Sequence, residues 1–487
     1  MRQVLAKAQT QEQTQELKLP DGYPDIGSVI GCWGQAVLRG KEWRRTAISA
    51  NGGVMAWVMY MPEDGSQPRV LDAWMPFQTR WELPEGVDDG MMCVMPLLSE
   101  LEGRNVSDRK IILRAGLDIL SQAMEAATVN VTAATDVPED VQLQTKNYPV
   151  VLPLETGERQ VQLDETLTWP ADKPPMERIV SYELIPSVTE QKVLANRLVF
   201  RGTAQFRIRY LDGNGDLQQW TYEIPFSDYT ELGQDFDTSA SAWIVPVLTA
   251  LEVDVMENGQ LQIRGSVAAQ YTIFDRMILP ITQDAYSPYR DVQVQTEQLQ
   301  LPVLLDRSEV ELPVSAALHA DVQQVVDTSA RYRHPCLTAG EQGLNVTMTG
   351  TNQILYRNSQ GELTSDCVRY EQQIPFGSSE DNSVTLWVNP MPESMNVQGV
   401  DELTVKTDHT VTAFSHCGGA IPMVTGLEIG ERKEADPNRP SLILKRAGEE
   451  DLWTMAKKYG STVDAIRAAN QLTDDPQEGM MLLVPVC

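Results

Sequence analysis

The sequence predicts a mainly β protein that ends in a small strand–helix–helix–strand module. Strands of alternating polar and apolar residues, each followed by a tight-turn sequence, recur three times at a period of about 150 residues. The chain of 487 residues is too long for a single hydrophobic core. In residues 441–487 the apolar pattern becomes that of two short amphipathic helices between two strands.

The second repeat shows the strand pattern most clearly. Residues 204–210 alternate polar and apolar side chains, as a half-buried strand does. The turn sequence Asp-Gly-Asn-Gly follows and ends at Gly215, and residues 220–226 form the predicted return strand. We expect an antiparallel hairpin in which Gly215 takes the positive φ angle that a tight turn favours.

All three repeats share a tyrosine, a glycine five residues later and a return that ends in Pro-Phe. These residues are Tyr60, Gly65 and Phe77 in the first repeat, Tyr210, Gly215 and Phe226 in the second, and Tyr356, Gly361 and Phe376 in the third. Residues 140–145 and 291–296 are also nearly identical, at an offset of 151. The pattern indicates duplication of one antiparallel β unit, with the exception that residues 118–127 could form a helix.

We therefore predict three repeated antiparallel β units, a linker and a terminal module. The boundaries are 1–139, 140–290 and 291–429 for the β units, 430–440 for the linker and 441–487 for the module. The linker combines several charged residues with two prolines, which predicts an exposed segment. We expect the module to move freely relative to the β units.

The terminal module has clear helix boundaries. The apolar stripe of its first helix, at i, i+3, i+4 and i+7, consists of Leu452, Met455, Ala456 and Tyr459. Asp451 is predicted to cap this helix and Gly460 to end it. Thr462 is predicted to cap the second helix, and residues 480–484 form the closing strand.

The composition argues against several partners. The net charge of −29 would repel the phosphates of nucleic acids and anionic lipids. The N-terminal residues lack the apolar core of a secretory signal, and no segment reaches the ~18–20 apolar residues that span a bilayer. Six scattered cysteines without a Cys-x-x-Cys pair fit a reducing compartment: Cys32, Cys93, Cys336, Cys367, Cys417 and Cys487. We expect a protein that stays inside the cell and needs no cofactor.

Two weaker patterns have the residue types of metal sites, but a structural role explains both more simply. The first, with the spacing of a calcium loop, consists of Asp212, Asn214, Asp216 and Glu223. Leu217 occupies the position where a calcium loop has a glycine, and a hairpin turn accounts for all four residues. The second contains His409, His416 and Cys417, but the histidines are seven apart on a predicted strand and so face opposite sides. We expect no metal site, and no catalytic motif is present, so we predict a protein that is not an enzyme.

The repeated unit resembles the SPOCS domain of spore-coat proteins. The strand into tyrosine, the glycine turn and the Pro-Phe return carry this resemblance, together with residues 19–26, Leu-Pro-Asp-Gly-Tyr-Pro-Asp-Ile. Residues 441–486 resemble a LysM module and place Trp453, Asn470 and Gly479 where LysM sequences usually carry them. SPOCS units followed by one LysM module are similar to spore morphogenesis proteins of the SipL type.

This resemblance implies a non-enzymatic scaffold in the mother-cell cytoplasm, at the outer forespore membrane. In that family the LysM module binds the ATPase of the coat basement layer rather than a glycan. LysM modules more generally bind the N-acetylglucosamine backbones of polymers such as peptidoglycan. A glycan-binding cell-wall protein therefore stays as the alternative, and a hydrolase within the β units ranks third.

The predicted binding groove lies between the two loops of the module. The candidate residues are Gly448, Glu449, Glu450, Leu452, Trp453, Asn470, Gln471 and Asp474. The first loop is one residue longer than is common and carries three consecutive acids at 449–451, which would suit a basic patch on a protein partner. Trp453 is the best candidate for a binding anchor, while packing in the module's own core is equally consistent with its size.

Overall fold

The computed structural model shows a chain built almost entirely of antiparallel strands, which confirms the predicted fold class. It describes residues 1–87, 89–128, 137–257, 259–300, 303–340, 343–376, 382–388, 395–398, 403–417, 420–433, 439–448 and 450–487. Within these ranges, no helix has both the length and the apolar character that crossing a bilayer demands.

The first repeat consists of two three-stranded sheets. Its strands are β1 (Arg2–Lys18), β2 (Ile26–Arg44), β3 (Ala47–Pro62), β4 (Arg69–Glu82), β5 (Met91–Ser107) and β6 (Lys110–Glu125). The sheet orders are β1-β6-β5 and β2-β3-β4. The helix considered for 118–127 is wrong, because residues 118–125 continue β6. That strand is the centre of its sheet and is buried on both faces at this end, so it loses the alternation that identifies a strand.

The second repeat has the same strand order. It contains β7 (Gln142–Leu167), β8 (Met176–Asp212), β9 (Leu217–Phe236), β10 (Ser241–Val255) and β11 (Leu261–Tyr286). As in the first repeat, the last strand lies between the first and the second-last, giving the order β7-β11-β10, and β8 and β9 form the hairpin sheet. The shared order supports duplication at the level of topology.

The third repeat follows the same plan with more strand breaks. After β12 (Arg290–Gln300) come β13 (Val303–Leu318), β14 (Gln324–Tyr332), β15 (Cys336–Gly340), β16 (Gly343–Arg357), β17 (Leu363–Pro375), β18 (Asn382–Val388), β19 (Met395–Gln398) and β20 (Leu403–Cys417). One sheet has the order β13-β20-β18, with β19 also on β20, and the other centres on β16. The remaining elements are β21 (Ala420–Arg432), which pairs with β12, then β22 (Leu442–Arg446), α1 (Leu452–Tyr459), α2 (Val463–Asn470) and β23 (Met481–Pro485).

The three predicted hairpin turns form as expected. Gly65, Gly215 and Gly361 have φ angles of 70°, 84° and 79°, and each donates its N–H to the carbonyl three residues earlier. In the second turn, the Asp212 carboxylate accepts the backbone N–H groups of Asn214 and Asp216. Of the residues with calcium-loop spacing, Asp212 thus serves the hairpin itself, while the Asp216 carboxylate pairs with Arg357.

A glycine lies opposite an aromatic residue of the return strand in every repeat. The pairs are Gly52 with Phe77, Gly202 with Phe226 and Gly350 with Tyr370. In the third repeat the aromatic is Tyr370, and the Pro-Phe that ends the predicted return lies at the end of β17, with Phe376 directly after it. The missing side chain leaves space for the ring, so these glycines are sites of close approach.

The chain divides into two compact units. Unit 1 contains residues 1–126, 151–275 and 304–417, and unit 2 contains 127–150, 276–303 and 418–487. Pieces of all three repeats thus build unit 1, while the terminal module shares unit 2 with β12, β21 and the end of β11. The predicted repeat boundaries at 140 and 291 stay predictions, and unit 2 contains residues on both sides of each. Residues 430–432 of the predicted linker complete β21.

A buried charge network joins the three repeats within unit 1. Asp327 accepts hydrogen bonds from Trp33 Nε1 at 2.8 Å and from Arg209 Nε at 2.9 Å. The Arg209 and Asp327 side chains are 2% and 3% exposed. Glu183 binds the other end of the Arg209 guanidinium at 3.1 Å and contacts Arg207 at 3.3 Å. The arginines hold the pKa of Glu183 below its usual value against the opposing effect of burial, so the network stays charged.

His409 occupies an interior position of β20, whereas the side chains of His416 and Cys417 lie outside the described set. Its Nε2 lies 2.8 Å from the Tyr370 hydroxyl and its ring packs against Tyr332 at 4.7 Å. Burial lowers the pKa of His409 to about 4, and the nearby Asp408 opposes this effect only in part. The imidazole is therefore neutral in the folded chain at neutral pH.

The stability of unit 1 is expected to fall as the pH drops from 6.5 towards 4. In this window the unfolded chain binds a proton at His409 that the folded chain excludes, so protonation favours unfolding by up to about 3 kcal/mol. His409→Gln should remove this contribution and leave a flatter pH profile. Urea unfolding followed by tryptophan fluorescence measures it, since nine of the ten tryptophans lie in unit 1. Parallel profiles of the two proteins would contradict the prediction.

Candidate binding site

The terminal module forms as the sequence predicted. The Asp451 side chain accepts the N–H of Thr454 at 2.8 Å and starts α1, and Gly460 ends it with a φ of 65°. Thr462 caps α2 by accepting the N–H of Ala465 at 3.1 Å. β22 and β23 pair antiparallel beside the two helices. These caps fix the loops at 447–451 and 471–480, between which the candidate groove was predicted.

The core of the module includes one residue from outside it. Its buried members are Ala447, Leu452, Met455, Ala456, Ile466, Leu482, Val484 and Tyr286. Leu452 is 6% exposed, so its side chain supports the fold, and its role as a groove contact stays a prediction. Tyr286, the last residue of β11, donates its hydroxyl to the carbonyl of Ser461 at 3.0 Å. Burial raises the pKa of this hydroxyl and keeps it a donor.

The predicted loop residues have different surroundings. Gly448 is exposed, and Glu449 lies outside the described residues. Glu450 forms an ion pair with Lys458 of α1, and Asp474 accepts a hydrogen bond from Thr473 at 3.2 Å. Gln471 ends α2 in the left-handed region at a φ of 53°. Glu450, Gln471 and Asp474 are all exposed, so a partner can reach them.

Asn470 closes one edge of the module's sheet. Its side-chain carbonyl accepts the N–H of Leu483 at 2.8 Å, and its amide donates to the Leu483 carbonyl at 2.6 Å. The same amide also donates to Ile466 at 2.8 Å. Asn470 therefore connects α2 to β23, and its amide is fully engaged in the fold.

Trp453 contacts the end of β11 within unit 2. Its indole N–H donates to Asp284 Oδ2 at 2.9 Å, and its ring meets Tyr286 edge-on at a centroid distance of 4.8 Å. Lys457, one turn further along α1, lies 2.7 Å from both oxygens of Asp284. The module thus docks on residues 284–286, whereas the sequence predicted free movement. Neither Asp284 nor Tyr286 carries a sequence signal for this role, because both are separated from the module by more than 150 residues.

Asp284→Ala is expected to loosen the docked module. The substitution removes a hydrogen bond to Trp453 and an ion pair to Lys457, which together contribute about 1–3 kcal/mol. Amide hydrogen exchange in 452–459 and in 284–287 should become faster. The control is Asp475→Ala, which breaks the exposed pair with Arg467 inside the module and should leave exchange in 284–287 unchanged. Equal exchange in the wild type and Asp284→Ala would contradict the docking role.

The fold and the site together define a repeated β-sheet protein with a small C-terminal binding module. A family model for the LysM domain matches residues 448–485. A family model described as SipL, SPOCS domain matches residues 175–244, which run from the start of β8 into β10. These matches confirm the predicted combination of a SipL-type SPOCS domain and a LysM domain. No curated protein and no solved structure matches the chain.

The matches support a sporulation-related protein that carries a module of a glycan-binding family. The SPOCS match covers the hairpin sheet of the second repeat, where the pattern of tyrosine, turn glycine and Pro-Phe is clearest. The first and third repeats share its strand order, as described above. Both matched domains are of non-catalytic families.

Proposed function

We propose that this protein is a non-enzymatic scaffold for spore coat assembly, and that its LysM domain binds the ATPase of the coat basement layer. A SipL-type SPOCS domain and a LysM domain in one chain are the observation that carries the proposal. The proposed location is the mother-cell cytoplasm, at the outer forespore membrane.

The charge of the groove loops supports a protein partner. Glu450, Asp474, Asp475 and Glu478 are exposed on the two loops of the module. Neutral donors and apolar contacts recognise sugars, whereas an acidic rim attracts a basic protein surface and raises the association rate. Gly448, Gln471 and, by its position in the sequence, Glu449 belong to the same proposed surface.

Capture of the purified ATPase by the immobilised full-length chain tests this surface. The full chain is needed because Tyr286 completes the core of the module. Asp474→Lys with Glu478→Lys should slow association roughly tenfold at low salt, and added salt should reduce the difference. Glu190→Lys, an exposed residue of the second repeat, is the matched control and should capture normally. If the wild type does not capture the ATPase, the ATPase is not the partner of this surface.

A pair of variants separates the two roles of Trp453. If the indole is also an anchor for the ATPase, docking on Asp284 competes with capture. Asp284→Ala should then strengthen capture, while Trp453→Ala abolishes it. If the indole serves only to dock the module, both variants should have the same effect on capture.

Binding to peptidoglycan is the second candidate, and the LysM match itself favours it because it spans both loops of the groove. Retention of the full chain on insoluble peptidoglycan, with no capture of the ATPase, would reverse the order of the two functions. A fluorescent fusion followed through sporulation provides an independent readout. A fluorescent shell around the forespore would support the scaffold function. A uniform fluorescent outline of the cell wall would support a glycan-binding cell-wall protein.

A further inference from the structure

The two strands of the LysM sheet differ in whether the backbone N–H and C=O groups on their outer edges are hydrogen-bonded. At the ends of the ladder, Val486 N–H donates to the Ser441 carbonyl at 3.0 Å and Ala447 N–H donates to the Met480 carbonyl at 2.7 Å. Because bonded pairs alternate along an antiparallel ladder, Ile443 and Lys445 bond to β23 as well. The N–H and C=O groups of the residues between them therefore point away from β23: Leu442, Leu444 and Arg446.

Among the described residues, only the β23 edge is closed. Asn470 bonds both backbone groups of Leu483 there, as described above. On the other side, no strand in the described part of the chain pairs with the outer edge of β22. An edge strand with unpaired N–H and C=O groups is a template for another strand.

The open edge borders an exposed apolar face. Leu442, Leu444 and Met481 are 51%, 59% and 52% exposed, and Leu483 extends the same surface. Exposed apolar residues are common singly, but a cluster on one small sheet marks a contact surface. β22 contains two cations and no acid, and one of them, Lys445, lies over the Tyr459 ring at 5.1 Å.

We infer that β22 is a self-association edge, which pairs antiparallel with β22 of a second copy so that the two Leu444 residues face each other. This inference is independent of the proposed ATPase partner. In this register Leu442 faces Arg446 of the second copy, and each of the three facing pairs exchanges two backbone hydrogen bonds. The two-stranded sheets then join into one sheet of four strands.

Charge and side-chain pattern favour a second copy as the occupant. Arg446 faces Leu442 and Lys445 faces Ile443 across the join, so every cation meets an aliphatic side chain. Like charges directly opposite one another would destabilise the pair, and this register has none. The exposed side chains of Leu442 and Leu444 gain apolar neighbours, including the aliphatic stem of Arg446.

Sedimentation velocity of the full chain over a range of concentrations tests the inference. The wild type should change reversibly from monomer to dimer at roughly micromolar concentration, as is usual for a small interface. Leu444→Lys and Leu444→Glu should each stay monomeric, because like charges then meet at the centre of the join. An equimolar mixture of the two variants should dimerise again, since lysine then faces glutamate. Val106→Lys, at an equally exposed position (59%) of unit 1, is the control and should dimerise normally.

Three results would overturn the inference. They are a monomeric wild type over the whole range, dimerisation of Leu444→Lys, and failure of the mixed variants to associate. A monomeric wild type that captures the ATPase, with capture lost in Leu444→Lys, would assign the edge to a strand of that partner. Conversely, a dimer that responds to these variants but captures no ATPase would support self-association and refute the proposed function.

Discussion

Asp327→Ala is expected to lower the free energy of unfolding of unit 1 by about 3–5 kcal/mol. The carboxylate is the shared acceptor for Trp33 of the first repeat and Arg209 of the second. Its removal leaves the Arg209 guanidinium, 2% exposed, with only part of its charge compensated. A buried charge that loses its partner costs several kcal/mol because water cannot replace that partner.

Urea unfolding monitored by tryptophan fluorescence measures the effect of Asp327→Ala on unit 1. Asp327→Asn should retain the acceptor for Trp33 yet still destabilise strongly, since it removes the charge opposite Arg209. Glu190→Ala is the control, because its pair with Arg201 is more than 60% exposed on both sides and should leave the urea midpoint unchanged. Equal midpoints for Asp327→Ala and Glu190→Ala would show that the buried network does not stabilise the junction of the repeats.

Gly202→Ala is expected to destabilise unit 1 by about 3 kcal/mol, through a steric clash rather than lost charge. A Cβ atom at Gly202 would lie 2.0 Å from the Ser187 carbonyl oxygen and 2.8 Å from the Phe226 ring. The first repeat has the same arrangement, in which a Cβ at Gly52 would lie 2.0 Å from the Val37 carbonyl oxygen. The backbone oxygen cannot move aside without disturbing its own strand, so Gly52→Ala should be equally harmful.

Gly213→Ala is the matched control for this clash. Gly213 lies in the hairpin turn of the same repeat, and no atom lies within 4 Å of the position of its Cβ. Its substitution should change the free energy of unfolding by no more than about 0.5 kcal/mol. The two alanine variants therefore differ in packing alone, and equal urea midpoints would contradict the prediction.

Local signals predicted the β fold and the module well. Turn glycines, alternating strands and helix caps depend on neighbours a few residues away, so Gly215, Asp451 and Thr462 could be assigned directly. The helix considered for 118–127 failed for a physical reason. Residues 118–125 are buried on both faces, and their apolar members Ile119, Leu120, Ala123 and Met124 have the spacing of a helix face rather than the alternation of a strand.

The candidate site was predictable only in part. The sequence located the module and its two loops, and it placed Leu452 both on the apolar stripe of α1 and in the predicted groove. The structure buries this side chain in the core of the module, at 6% exposed. The sequence also left the alternatives for Trp453 open, and the structure adds a third, an intramolecular contact with Asp284 and Tyr286. Such a contact has no periodicity or spacing to reveal it, since it joins segments far apart in the chain.

The sequence by itself determined the strands and turns of the three repeats, the capped helices and the acidic loops of the module, because short-range geometry and composition control all of these. The tertiary structure alone decided which distant residues meet. It placed Asp327 between Trp33 and Arg209, set Tyr286 into the core of the module, and left the outer edge of β22 without a partner strand among the described residues. Burial and strand pairing fix these arrangements, and both depend on the complete fold.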